Sequence, residues 1–232
     1  MTNISPSPTA IVYATADLFA PPPHGVNGSE NVPCTALKVA PWDLCEQLIC
    51  VALADMMYQG LITLQIVEAT KLLVIHTKNV VLHITPEGGG RLPQTGVGGW
   101  LTRSILAHNG DNIHNIIRAA YGQDYPSPSS VPIYVAAQEL VSLGYYQDTE
   151  QEISGVGGML RKAVHASTTK HINVPICERF AALRPIAPSV QQMLQAVSSH
   201  DTVLWEMLHK QISHAMTSRV ERERDTNNSG DF

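Results

Sequence analysis

The stretch Cys50-Val-Ala-Leu-Ala-Asp-Met-Met-Tyr-Gln-Gly60-Leu-Ile62 returns 84 residues later as Tyr134-Val-Ala-Ala-Gln-Glu-Leu-Val-Ser-Leu-Gly144-Tyr-Tyr146. Val51/Val135, Ala52/Ala136 and Gly60/Gly144 are identical, and residue classes match at Asp55/Glu139, Met56/Leu140 and Met57/Val141. Each copy reads as an amphipathic helix that stops at a glycine and runs into an apolar pair. Glycine is the usual stop because it enters the left-handed region without a Cβ clash. A helix followed at once by a β-hairpin is the local grammar of a winged-helix unit. The repeat therefore predicts an α+β, mainly helical fold with two such units packed in one domain.

Working outward, a largely enclosed helix should start near Pro41 and end at Gly60. Pro41 and Asp43 suit its first turn, and Leu44, Leu48, Val51, Ala52 and Met56 recur on one face, broadened by Ile49, Leu53 and Met57. After Gly60, the runs 61–67, 72–75 and 80–84 are β-branched or alternating, which predicts a three-stranded meander as the first wing. The glycine-rich segment 86–99 reads as a loop, with helices following at 99–106 and 112–121. The second echoed helix, 134–143, leads to a second wing assigned to Tyr145-Tyr146 and the runs 159–164 and 172–174. Two helices, 189–198 and 202–219, close the fold. Residues 1–40, with six prolines and three charged side chains, read as a proline-rich extension in which 10–14 could add one strand. The domain proper is assigned to 41–220 and a polar, disordered tail to 221–232.

The chain has 232 residues, is 44% hydrophobic and 15% charged, and carries a formal charge of −5. That composition supports a sizeable core and excludes wholesale disorder. The negative balance argues against attachment to nucleic acid by net charge. Cys34, Cys45, Cys50 and Cys177 form no Cys-x-x-Cys pair and read as small buried hydrophobes of a reducing compartment. No apolar run reaches membrane-spanning length and no basic-then-apolar leader opens the chain, so the expected location is cytoplasmic.

The residues that could carry chemistry point to binding. The glycine clusters at 88–90, 96–99 and 155–158 lack the Gly-Lys-Ser/Thr of a phosphate loop. His209 and His214 are five residues apart, about 140° around a helix, and cannot grip one ion. His76 and His83 are expected on neighbouring strands, where they could pair. Cys177 with His171 is the conceivable nucleophile and base, without an orienting third group. Asp148, Glu150 and Glu152 read as a solvated turn. Neither cofactor nor metal is expected, and the chain is read as non-enzymatic. Residues 155–185, however, hold Arg161, Lys162, Lys170, Arg179 and Arg184 against Glu178, a net +4. Of these, Arg161, Lys162, Lys170 and Arg179 are the candidate phosphate-binding or anionic-lipid-binding residues.

The order of elements resembles the Golgi phosphoprotein 3 family. Met57-Tyr-Gln-Gly60-Leu-Ile62 is similar to the short Leu-Arg-Gly-Arg-Leu-like entry into strands in that family. Leu140-Val-Ser-Leu-Gly144-Tyr-Tyr146 resembles its Leu-Val-x-x-Gly-Val-Leu helix end. Trp100-Leu101 looks like the Trp-Ile that opens an intervening helix, and Pro188-Ser-Val190 resembles an Asp-Pro-x-Val-like helix entry. The resemblance spans about 150 residues and implies a peripheral membrane protein that binds phosphoinositide headgroups. The family's acidic Glu-Glu-Leu start, its Pro-Thr-Gly-Asp segment and its Leu-Asp-Glu-Ala-Leu helix have no counterpart. The positions matching its lipid-binding arginines hold Ile49, Ser130 and Ile133, so that site does not carry over. The expected partner is an anionic membrane surface or phosphoinositide headgroup met through the basic segment. DNA is the lesser alternative, because the echoed helices hold neither Lys nor Arg; a protein-interaction scaffold and self-association are the others.

Overall fold

A computed structural model describes residues 5–24, 28–71, 75–122, 130–152 and 169–228. Among them are eight α-helices and three two-stranded antiparallel sheets, a mainly helical α+β arrangement closed by C-terminal helices. Helix α1 (Pro8–Ala14) and a short 3₁₀ turn are followed by β1 (Glu30–Asn31), β2 (Lys38–Val39) and α2 (Pro41–Tyr58). Then come β3 (Ile62–Lys71), β4 (Ile75–Ile84), α3 (Gly96–Ala107), α4 (Ile113–Ala120) and α5 (Val131–Ser142). The chain ends with β5 (Tyr146–Glu152), β6 (Thr169–Pro175), α6 (Cys177–Ala181), α7 (Ala187–His200) and α8 (Thr202–Asn228).

The two echoed segments end their helices alike, bond for bond. In α2 the N–H groups of Gly60 and Leu61 donate to Met57 and Met56 carbonyls at 2.9 and 2.8 Å. In α5 those of Gly144 and Tyr145 donate to Val141 and Leu140 at 3.0 and 2.9 Å. This is the Schellman arrangement, with each glycine left-handed at φ 69° and 76°. Strands β3 and β5 then begin at Ile62 and Tyr146, again 84 positions apart. Helix α2 is enclosed as expected: Leu44, Leu48, Ile49, Val51, Leu53 and Met56 are all fully buried.

The first hairpin has two strands, where the sequence pattern predicts three. It runs in unbroken register from Ile62↔Ile84 to Lys71↔Ile75, and residues 72–74 lie outside the described chain. Of the run 72–75, the described Ile75 belongs to the same strand, β4, as the run 80–84. Ile62, Leu64, Val80 and Leu82 are buried on one face, as period-two alternation requires. The far edge of β4 is occupied too. Leu82 N–H donates to the Asp111 carbonyl at 3.1 Å and the Leu82 carbonyl accepts from Gly110 N–H at 2.8 Å, while Val81 bridges Asn112. His76 and His83 both stand on β4, not on neighbouring strands, so they do not pair.

The glycine-rich segment is anchored, not a slack connector, and α3 begins inside it at Gly96. A Cβ on Gly88 would collide with the Leu61 carbonyl, and one on Gly99 would sit 2.5 Å from the Gln94 carbonyl carbon. Thr85 Oγ1 donates to the Gly60 carbonyl at 2.7 Å, tying the far end of the first hairpin to its start.

The largest departure concerns the N-terminal segment. Residues 10–14 are helical, with Ser7 as N-cap and Pro8 in the first turn, and Ala10, Ile11, Val12, Tyr13 and Ala14 are buried. Helix α1 packs against both α2 and α5. The hydrophobic core thus starts near residue 10, and the segment is no appendage. At the other end α8 continues to Asn228, through the segment expected to be disordered. A polar helix can persist where its start is packed: Leu208, Ile212, Ala215 and Met216 anchor α8 in the core.

Candidate functional site

The candidate site is the β5–β6 hairpin and the joint where it leaves the core. Its register runs from Tyr146↔Pro175 to Glu152↔Thr169, which places Asp148, Glu150 and Glu152 on a strand and not in a turn. Gln151 stands opposite Lys170, and Glu150 opposite His171. None of its residues whose burial is described is buried, whereas β3–β4 has buried residues on both strands. Gln147, Asp148 and Asn173 are exposed, and Tyr146, Thr149, Ile172, Val174 and Pro175 are half-buried.

The base of this hairpin is held by residues far away in sequence. The Tyr13 hydroxyl of α1 donates to Tyr146, and burial raises the Tyr13 pKa above the ordinary phenol range, with the Tyr146 interaction adding to it. Tyr145 and Tyr146 both meet the Phe180 ring edge-on, with centroids 5.7 and 5.3 Å away. Arg179 Nη1 donates to the Gly144 carbonyl at 2.6 Å, supplying a cation at the C-terminal end of α5. Arg184 pairs with Asp17 through both nitrogens, at 3.2 and 2.6 Å. Cys34 and Cys177 form a disulfide across 143 residues.

These contacts sort the predicted cations. Arg161 and Lys162, together with the strand expected at 159–164, lie outside the described residues. Lys170 is on β6, one rung from the far end of the described pairing, as its position opposite Gln151 shows. Arg179 serves the fold as the cap on Gly144, and Arg184 serves it through Asp17. Both thus hold the fold as well as carrying charge, and both side chains are exposed. The disulfide corrects two further expectations. Cys177 cannot act as a nucleophile beside His171, and the cysteines do not all behave as buried thiols. Cys45 and Cys50 do, for both stand outside the disulfide and are buried in α2.

A second cluster has no signature in the sequence pattern. Glu46 and Cys50, one turn apart on α2, face His209 of α8. His209 Nδ1 lies 2.7 Å from Glu46 Oε1. Cys50 Sγ is nearly equidistant from the two ring nitrogens, at 3.7 and 3.6 Å, so neither nitrogen is aimed at the sulfur. Burial pushes the Cys50 thiol well above its ordinary pKa, and the nearby Glu46 charge adds to that rise. A buried, protonated thiol packed against an imidazole makes a structural link, not an activated nucleophile. His214 points elsewhere, stacking at 4.9 Å on His114 of α4.

No protein-family model, curated protein or solved structure matches this chain. The site thus defines a class by its geometry alone: an α+β protein of two helix–glycine–hairpin units, one hairpin with a buried face and the other with no buried residue among those whose burial is described.

Proposed function

We propose that this protein is a non-enzymatic peripheral adaptor. Its second hairpin meets an anionic surface, with phosphoinositide or other anionic lipid headgroups as the favoured chemistry. The observation that carries this reading is the contrast between the hairpins. The first is packed on one face and blocked at its β4 edge, while no β5 or β6 residue of described burial is buried. The hairpin frames the part of the chain that carries Arg161 and Lys162, and Lys170 stands on β6 itself. With Arg179 bonded to Gly144 and Arg184 paired with Asp17, the anion contact falls first on those three cations. Among the described residues no helix is long and apolar enough to cross a membrane, so association would be peripheral.

The reading as a DNA-binding winged helix gains no support from the echoed helices. Neither α2 nor α5 contains Lys or Arg, and α2 is enclosed where a recognition helix must be presented. Co-sedimentation of the full chain with vesicles of neutral phosphatidylcholine, and with vesicles containing phosphatidylserine or phosphoinositide, tests the proposal beside a duplex-DNA binding titration. Pelleting with anionic vesicles alone supports it. Equal pelleting with neutral vesicles, tighter DNA binding, or no binding to any of them overturns it.

A further inference from the structure

We infer that Cys34–Cys177 is a reversible thiol–disulfide exchange site whose state sets how firmly the root of the second hairpin is held. Two kinds of cysteine coexist in this chain. Cys45 and Cys50 are enclosed in α2, and burial pushes the Cys45 thiol up to about 12, which keeps it protonated and inert. Cys34 and Cys177 are both exposed and already joined. Beside the bond lies a cavity of about 270 Å³ lined by Pro33, Cys34, Thr35, Cys177, Phe180 and Arg184, among others. An exposed disulfide on a small cavity can be reached by a low-molecular-weight thiol, and accessible disulfides are the labile and regulatory kind. Cys34 is also the one non-glycine residue among the described ones with a left-handed backbone, at φ 61°. Such a conformation is uncommon and persists when its surroundings enforce it.

The position of the bond gives exchange a consequence. Cys177 lies two residues beyond the end of β6, and Cys34 sits in the turn between β1 and β2. The bond therefore ties the N-terminal segment to the hairpin root. It is not the sole tie, since Tyr13–Tyr146 and Arg184–Asp17 also reach from the N-terminal segment to this region. Opening it loosens the joint without unfolding the core. In the reaction an incoming thiolate attacks one sulfur, the S–S bond breaks, and the other sulfur leaves as a thiolate that takes a proton. A second thiol resolves the mixed disulfide, so two small thiols are oxidised to their disulfide while Cys34 and Cys177 are reduced.

This inference is independent of the anion-binding reading and is tested without it. The full chain is equilibrated natively with oxidised or reduced glutathione, alkylated, and mapped by peptide mass. The expected result is that Cys34 and Cys177 become alkylated after reduced glutathione alone. Cys45 and Cys50 should react only in denaturant. Reduction should also raise limited proteolysis within residues 28–39 and 169–181 several-fold. The C34S/C177S variant should show the faster rate in either glutathione state. Three outcomes would overturn the inference: free Cys34 and Cys177 in oxidised glutathione, a bond that resists native reduction, or proteolysis that ignores both reduction and the double substitution.

Discussion

Ser7 binds Glu139 twice: its backbone N–H donates to one carboxylate oxygen and its hydroxyl to the other, each at 2.8 Å. The same hydroxyl accepts from Ala10 N–H at 3.2 Å, so one side chain caps α1 and fastens it to α5. Glu139 is the echo partner of Asp55 on α2, and α1 packs against both echoed helices. The N-terminal helix therefore packs across both units, whose helices α2 and α5 also touch directly. Its removal should be felt globally.

Deleting residues 1–16 should abolish cooperative unfolding, followed by far-ultraviolet circular dichroism in urea. Substituting Ser7→Ala alone should cost about 0.5–2 kcal/mol, the usual range for losing a helix cap. A truncated chain that unfolds with the full-length midpoint would show that α1 is dispensable, as a proline-rich extension would be.

Leu48→Ala tests the core of α2. Leu48 is fully buried near the middle of that helix, so truncation leaves a cavity as well as losing transfer energy. The expected loss is roughly 2–5 kcal/mol. A denaturation midpoint equal to wild type would reject the buried assignment.

The glycines separate backbone conformation from packing. Gly60→Ala should cost about 1–2 kcal/mol because Gly60 is left-handed and its Cβ would meet nothing within 4 Å, whereas at Gly144, also left-handed, the Cβ would in addition stand 2.9 Å from Arg179 Nη1. Gly88 has no such φ, yet its Cβ would strike the Leu61 carbonyl, so Gly88→Ala must displace backbone and should destabilise clearly. Gly89 meets nothing within 4 Å and is the matched control. Gly89→Ala should leave the unfolding midpoint nearly unchanged, and a loss as large as that at Gly88 would contradict the packing argument.

The repeat at Gly60 and Gly144 is legible in the sequence because a helix stop followed by an apolar pair is local chemistry, and both Schellman endings follow from it. The enclosure of α2 is legible in the same way, from its apolar periodicity. Helix α1 is harder to read, because Thr9-Ala10-Ile11-Val12 is partly β-branched and lies among prolines. The local signal for it is Ser7-Pro8, a cap residue followed by the proline favoured in a first helical turn. The candidate site is less legible for a different reason. Cys34–Cys177, Arg184–Asp17 and Glu46–His209 join residues 143, 167 and 163 positions apart, and no local spacing announces such pairs. Composition exposes a basic segment, but not that Arg179 also bonds the Gly144 carbonyl.

Stability should fall as pH rises just above the ordinary carboxylate range. Burial raises the pKa of Glu30 and also that of Asp55, where the Gln59 hydrogen bond partly offsets it. A carboxyl whose folded pKa exceeds its unfolded value binds more protons in the folded state across that window. The folded state thus loses stability as pH climbs through it. Glu30→Gln should stabilise the protein at neutral pH and flatten this part of the profile. Denaturant midpoints measured from pH 4 upward, wild type beside variant, check the sign; an unchanged slope would remove Glu30 as a contributor.

Charge reversal separates the cations that could meet an anionic surface from those that hold the fold. Arg161→Glu, Lys162→Glu and Lys170→Glu together should abolish pelleting with anionic vesicles while leaving the unfolding midpoint near wild type. Arg179→Glu should behave in the opposite way. It would place a carboxylate against the Gly144 carbonyl, at a helix end that favours cations, so the midpoint should drop. Wild-type binding should also weaken steeply with salt, because the screening length falls from about 10 Å at 0.1 M to about 3 Å at 1 M. The decisive comparison measures vesicle binding and unfolding midpoint for wild type and both variants in one buffer. Retained binding in the triple variant would remove those residues from the site. Loss of binding in a fully stable Arg179→Glu protein would return Arg179 to it, with Gly144 as an incidental neighbour.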